Sequence, residues 1–339
     1  MTWNILYQFN EAYAVFAGVS IFSLLENNKP AEEICFHILG EDLTEQSRNK
    51  IRGMIERYGR HVIYLEASPL IEKLDQLKIP KYRGSYATNL KLFAAEQISG
   101  GINRILYIDS DTIITGDLDR LFSMEMEHDP LMMALDSLGS EHKGDIGHAP
   151  EEYYFNAGVI LIDLPEWKKQ KCTEQIIDHI QKKRSHYIAP DQDILNCVFK
   201  GKIGILGAEY NLQPLHYKYD YALYQKYWKQ NSYYAEEELK NAVQNPVIIH
   251  CFRFLGGFPW DKDSKHPCLD LFDAYLKSSP WKEYEKKAAR QNGIPFRIER
   301  WLYGWMPDQM FLPVFRIGHG MMISGAEKRS RHGENDGKI

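Results

Sequence analysis

Short apolar runs alternate with helix-period segments over the first two thirds of the chain. Ile5–Phe9, Ile34–Leu39 and Val62–Leu65 read as strands, each a compact apolar run between polar residues. Val15, Phe16, Val19, Phe22 and Leu25 recur at helical spacing and predict a buried helix over Tyr13–Leu25, which Asn27-Asn28-Lys29-Pro30 stops. Ile51, Met54, Ile55 and Tyr58 mark one face of a second helix ending near Gly59. Tyr86–Ile98 reads as a third, closed by Gly100-Gly101. Ile105–Ile108 is a strand that runs straight into Asp109. This β-α-β-α-β order predicts an α/β fold, a mostly parallel sheet with helices on both faces. Ligands bind such sheets beyond the carboxyl ends of the strands. Three runs deliver a polar residue to that rim: Asp109, Asp136 after Leu131–Leu135, and His250 after Val247–Ile249.

The pattern changes after about Trp260. Helical segments follow, and Arg300–Ile323 mixes Trp301, Trp305, Met306, Met310, Phe311 and Phe315 with Arg300 and Arg316. Two readings fit that stretch: a helix packed on the preceding domain, or an interrupted amphipathic segment at a membrane surface. Pro307 and Pro313 exclude one long helix. The expected organisation is a catalytic domain over 1–262, a helical or interfacial extension over 263–324, and a disordered basic tail over 325–339.

At 339 residues and 44% apolar, the chain can bury a large core. A net charge of -5 gives no global attraction to nucleic acid. The five cysteines share no CxxC spacing, which argues against a zinc knuckle or a disulfide framework and suits a reducing compartment. The start MTWNILYQFN resembles no signal peptide, and no apolar run of about 18 residues offers a spanning helix. The expectation is a cytoplasmic protein, peripheral at most.

Against this background four constellations carry chemistry. Asp109 and Asp111 flank Ser110 just after a buried strand, so both carboxylates can hold a divalent cation, and the cation a diphosphate. Glu152-Tyr-Tyr-Phe-Asn156-Ala157-Gly158 opens a strongly apolar strand; its small residues admit a ligand, and Asn156 offers a donor and an acceptor. Pro190-Asp191-Gln192-Asp193 starts a helix with polar groups suited to a sugar rim. His250-Cys-Phe-Arg253-Phe-Leu-Gly256-Gly257-Phe-Pro-Trp260 combines a metal-competent imidazole with glycine N–H groups for phosphate. A metal-dependent phosphatase or nucleotide-sugar hydrolase could use the same Asp pair, although Ile113 departs from the haloacid-dehalogenase pattern. A non-catalytic sugar-binding protein is the third alternative.

Taken together and in this order, the motifs resemble those of family 8 glycosyltransferases, the group of bacterial lipopolysaccharide and lipooligosaccharide galactosyl- and glucosyltransferases. The resemblance runs from about Asn4 to Trp260. It implies a GT-A fold, a UDP-sugar donor, manganese or magnesium, and a glycan or lipid-linked glycan acceptor. It implies metal ligation by Asp109, Asp111 and His250, and donor contacts from Asn156 and Ala157. Asp136, Asp191 and Gln192 would lie nearest the reacting sugar carbon. Asn10 and Tyr13 stand where the family reads the base, with Asn10 replacing an Asp. Asn89 stands where the family carries an Arg, and Phe258 where it carries a Lys; Lys91 and Arg253 are the candidates to restore that charge. Tyr210–Tyr221, rich in Tyr with Asn and His, is expected on the acceptor side.

Overall fold

The computed structural model describes residues 2–81, 84–98, 100–182, 187, 189–254, 257–289 and 294–315. Gly256 and the stretch 316–339 lie outside them. Strands β1 (Thr2–Asn10), β2 (Glu33–Glu41), β3 (His61–Leu65), β4 (Arg104–Ile108), β6 (Leu131–Leu135), β7 (Phe155–Asp163) and β8 (Ile203–Ile205) form a seven-stranded sheet. Its order is β3-β2-β1-β4-β7-β6-β8. The ladder is parallel throughout except that β7 runs against both β4 and β6. Reversal of β7 has one decisive effect: its amino end, Phe155–Ala157, lies at the rim where β4 and β6 deliver Asp109 and Asp136.

The interior of β1, β2 and β7 is buried without alternation, as a sheet covered on both faces requires. Helix α1 (Ala14–Asn27) covers one face with its apolar residues and turns a polar edge toward β5 (Thr112–Ile114). Ser23 Oγ accepts from Ile114 N, Asn27 donates to Ile114 O, and Ser20 Oγ meets Thr112 Oγ1 at 2.8 Å. The loop carrying the two acids is thus pinned from behind.

Two sequence expectations are corrected. Tyr86–Ile98 is not one helix but two short 3-10 turns, Ala87–Leu92 and Ala94–Gln97. The apolar residues there are buried almost continuously instead of along one face. External partners also take up the backbone: Glu41 accepts from Tyr86 N and Ala87 N, and Gln8 donates to Thr88 O. The run ending in His250 does not join the sheet. It is β9 (Ile248–His250), paired antiparallel with β5 in a separate ribbon.

Candidate functional site

The β5–β9 ribbon explains why two acids and a histidine distant in sequence converge. Asp109 N donates to Gly158 O at 2.8 Å, continuing the β4–β7 ladder by one residue. Thr112 Oγ1 donates to Asp109 O and closes the turn. Thr112 then pairs opposite His250, and Cys251 N donates to Asp111 O at 2.7 Å. Asp109, Asp111 and His250 each offer one ligand atom, all within 4.8 Å of one another. His250 Nε2 lies 3.2 Å from Asp111 Oδ1 and 3.8 Å from Asp109 Oδ2.

The second oxygen of Asp109 is already spoken for. Its Oδ1 accepts from Lys91 Nζ at 3.2 Å and from Tyr107 OH, leaving Oδ2 turned to His250. Burial raises the Asp109 carboxyl, with Lys91 pulling against it and Asp111 adding to it; the net direction is up. Burial also acts on Asp111, but the His250 imidazole beside it carries its pKa below the ordinary carboxylate value. Burial lowers His250, and the two carboxylates outweigh that and raise it. Two carboxylates and an imidazole in this arrangement suit a divalent cation, which would take the place of the imidazole proton.

A second group of side chains adjoins the first. Lys91 Nζ also donates to Ala157 O at 3.0 Å and pairs with Asp191 Oδ2 at 2.9 Å. Asp136 Oδ2 accepts from Asn156 Nδ2 at 2.8 Å and from Gln192 Nε2 at 3.1 Å. Gln192 Oε1 accepts from Ala157 N at 3.0 Å, and its Nε2 also reaches Tyr154 OH. Tyr154 OH donates to Asp193 at 2.6 Å. Asp193 also accepts from Ala189 N, tying down the start of the helix Pro190–Val198, and burial raises its carboxyl. Further along that helix, Asn196 clamps Phe155 through both its N–H and its C=O.

The structure therefore brings together Lys91, Asp109, Asp111, Asp136, Asn156, Ala157, Asp191, Gln192 and His250. Ser110 is buried between the two acids. Asn10 ends β1 with a buried, unpartnered Oδ1, and Tyr13 meets Phe16 and Trp260 edge-on. Asn89 is fully buried and donates to Pro80 O, whereas Lys91 carries charge to the acids. Arg253 is half-buried in the loop after β9. Gly257 N–H donates to Phe254 O at 3.1 Å, a bond that a phosphate would have to displace. Phe258 stacks on Trp260 at 4.6 Å.

Gly158 has a packing role in addition to the ligand approach expected of these small residues. A Cβ there would lie 2.1 Å from His250 Cε1, so the missing side chain makes room for the imidazole. Sequence reasoning missed Tyr107, Tyr154, Asn196 and the role of Asn211. Asn211 and Gln213, within the stretch assigned to the acceptor side, are buried and bonded inward. The polar residues of Tyr210–Tyr221 carried the signal, but nothing in their spacing indicates direction.

The sequence profile described as glycosyl transferase family 8 matches residues 4–264. The chain belongs to this family. Among its relatives, a lipopolysaccharide 1,2-glucosyltransferase of Escherichia coli is 28% identical over 311 residues, 89% of this chain and 86% of that protein. A lipopolysaccharide 1,3-galactosyltransferase of Salmonella typhimurium (strain LT2) is 25% identical, covering 82% of this chain and 79% of the relative. A solved galactosyltransferase LgtC, in complex with donor and acceptor sugar analogues, superposes with a TM-score of 0.65 at 23% identity. That match covers 82% of this chain and 96% of LgtC and establishes the shared GT-A fold. As a family 8 member the protein is a glycosyltransferase, a hexosyltransferase by kinship. Its Asp109–Asp111–His250 trio occupies the strand-end rim of that fold.

Proposed function

We propose that this chain is a retaining hexosyltransferase that moves glucose or galactose from a UDP-sugar to a glycan or lipid-linked glycan of the bacterial surface. The observation that carries the proposal is the convergence of Asp109, Asp111 and His250 beside the linked group Asp136, Asn156, Gln192 and Asp191. Manganese, or magnesium in its place, suits the trio of two oxygens and one imidazole nitrogen. Asn10 and Tyr13 would read the base: the unpartnered Oδ1 of Asn10 can accept the N3–H of uracil. Ser110, Arg253, Gly256 and Gly257 are assigned to the diphosphate.

When bound, the cation supplies charge stabilisation to the departing diphosphate. Lys91 adds a fixed positive charge on the sugar side of Asp109 and keeps Asp191 oriented. Asp136 and Asn156 face the hexose hydroxyls. Retention by double displacement needs a carboxylate free to attack the sugar carbon. Gln192 is a poor candidate, since its carbonyl already accepts from Ala157 N, and Asp191 is held by Lys91. The front-face route, in which the departing phosphate takes the acceptor proton, asks instead for electrostatic support of the phosphate. The geometry favours that route.

We further assign residues 300–323, within the extension 263–324, to contact with the inner membrane surface. The described part of the extension carries Phe311 and Leu312 into a cluster with Leu215, Tyr219, Tyr224, Trp228 and Phe254. Trp301 and Trp305 remain 61% and 79% exposed and stack on each other, and exposed Arg297 precedes them on the helix Ile294–Trp305. Aromatic and basic residues on one exposed face suit an anionic interface.

Asp111→Asn tests the metal site. Turnover of UDP-glucose and UDP-galactose is expected to fall to background with the thermal transition retained. Normal turnover by this variant in the presence of chelator would overturn the proposal.

A further inference from the structure

His250 and Asp136 belong to different ends of the site, yet a row of two buried amides, Asn211 and Asn156, joins them. Asn211 is 1% exposed. It follows the short turn Ala208–Tyr210, and its neighbour Leu212 bonds to β9 in both directions, Leu212 N to Ile248 O and His250 N to Leu212 O. The backbone carrying Asn211 therefore moves with the strand carrying His250.

The orientation of every group in the row follows from one backbone N–H. Gly158 N donates to Asn156 at 3.0 Å, so the atom it meets is the carbonyl oxygen Oδ1. A second group reaches that oxygen, Asn211 Nδ2 at 2.9 Å, and it must be a donor. The other end of Asn211 is then the acceptor Oδ1, 3.0 Å from His250 Nδ1. His250 must carry its proton on Nδ1, which leaves the Nε2 lone pair for the cation beside Asp111 and Asp109. In the other direction, Asn156 Nδ2 donates to Asp136 Oδ2. A carboxylate only accepts, so the polarity of the row agrees from end to end.

We propose that Asn211 is a positioning residue that holds the metal-binding tautomer of His250 and, through Asn156, orients Asp136 toward the donor sugar. The inference rests on the proposed metal and donor reading of the site. It adds that the two halves are set by one amide, whose acceptor serves the metal and whose donor serves the sugar.

The two functions separate by substitution. Asn211→Ala removes both. Asn211→Asp keeps an acceptor for His250 Nδ1–H but sets a carboxylate oxygen against Asn156 Oδ1, which Gly158 N–H prevents from turning over. Manganese titrated calorimetrically into the full-length chain without nucleotide should bind about 10–100-fold more weakly to Asn211→Ala. Asn211→Asp should bind it within a few-fold of the parent. The same Asp variant should raise KM for the UDP-sugar while the Kd for UDP, which has no hexose, stays unchanged. Parent-like manganese binding by Asn211→Ala would overturn the first half. Equal shifts for UDP and UDP-sugar in Asn211→Asp would overturn the second. If Asn211→Ala does not fold, the UDP against UDP-sugar comparison in Asn211→Asp still decides. Asp111→Asn is the control: failure of that variant to lose manganese would sink the metal reading itself, whereas its loss beside a normal Asn211→Ala sinks this inference alone.

Discussion

Gly158 concentrates the logic of the site into one missing side chain. Its carbonyl accepts from Asp109 N, its N–H fixes Asn156, and its bare Cα leaves room for the His250 ring. The imidazole cannot retreat, because Asn211 holds Nδ1. Gly158→Ala should therefore cost about 1–3 kcal/mol from overpacking. It should also abolish manganese binding, both checked by thermal unfolding with and without the ion. A stable variant with parent affinity would mean that the ring is not wedged there. His216 gives a pH signature from a residue that is not one of the metal-ligand trio. It is buried against Tyr233, and burial pulls its pKa from 6.5 to about 3. The folded state keeps it neutral while the unfolded chain protonates near 6.5, so the stability it contributes is complete above that value and is lost as pH falls toward 3. His216→Gln keeps a hydrogen-bonding amide beside Tyr233 without titrating. Its unfolding free energy should depend less steeply on pH between those limits, as measured by urea titrations.

At the scale of elements, the site depends on which pieces the chain sets side by side. Strands β1 to β4, β6 and β7 were legible because each is a compact apolar run, and Asp109 and Asp136 because they end such runs; the three-residue β5 and β8 are too short to stand out. The Tyr86–Ile98 segment was misread as a helix because apolar content without a clear face cannot distinguish a helix from buried 3-10 turns. Residues 308–315 support the packed reading of the extension, and its membrane contact stands as a proposal. Phe311 and Leu312 face inward, while Ile298, Trp301, Trp305 and Met310 face out. Trp301→Ser combined with Trp305→Ser should reduce co-sedimentation with anionic vesicles several-fold and leave turnover of a soluble acceptor unchanged. Vesicle binding equal to the parent would remove the membrane assignment.

For the whole molecule, β7 is the organising strand. Running against its neighbours, it presents Asn156 and Ala157 at the rim where parallel strands deliver acids. The order of motifs was readable in the sequence, and with it the family. Their wiring was not: Lys91 to Asp191, Tyr154 to Asp193 and Asn211 to His250 are contacts between segments far apart in the chain, set by packing and invisible to local pattern. No helix among the described residues is long and apolar enough to cross a membrane, which agrees with the hydropathy of the sequence. One metal-organised site is proposed to bind a uridine diphosphate. Calorimetric titration of UDP into the full-length chain tests it most directly, run with manganese, with chelator, and on Asp111→Asn with manganese. Saturable binding is expected in the first case and its loss in the other two. UDP affinity that is the same in all three would contradict it.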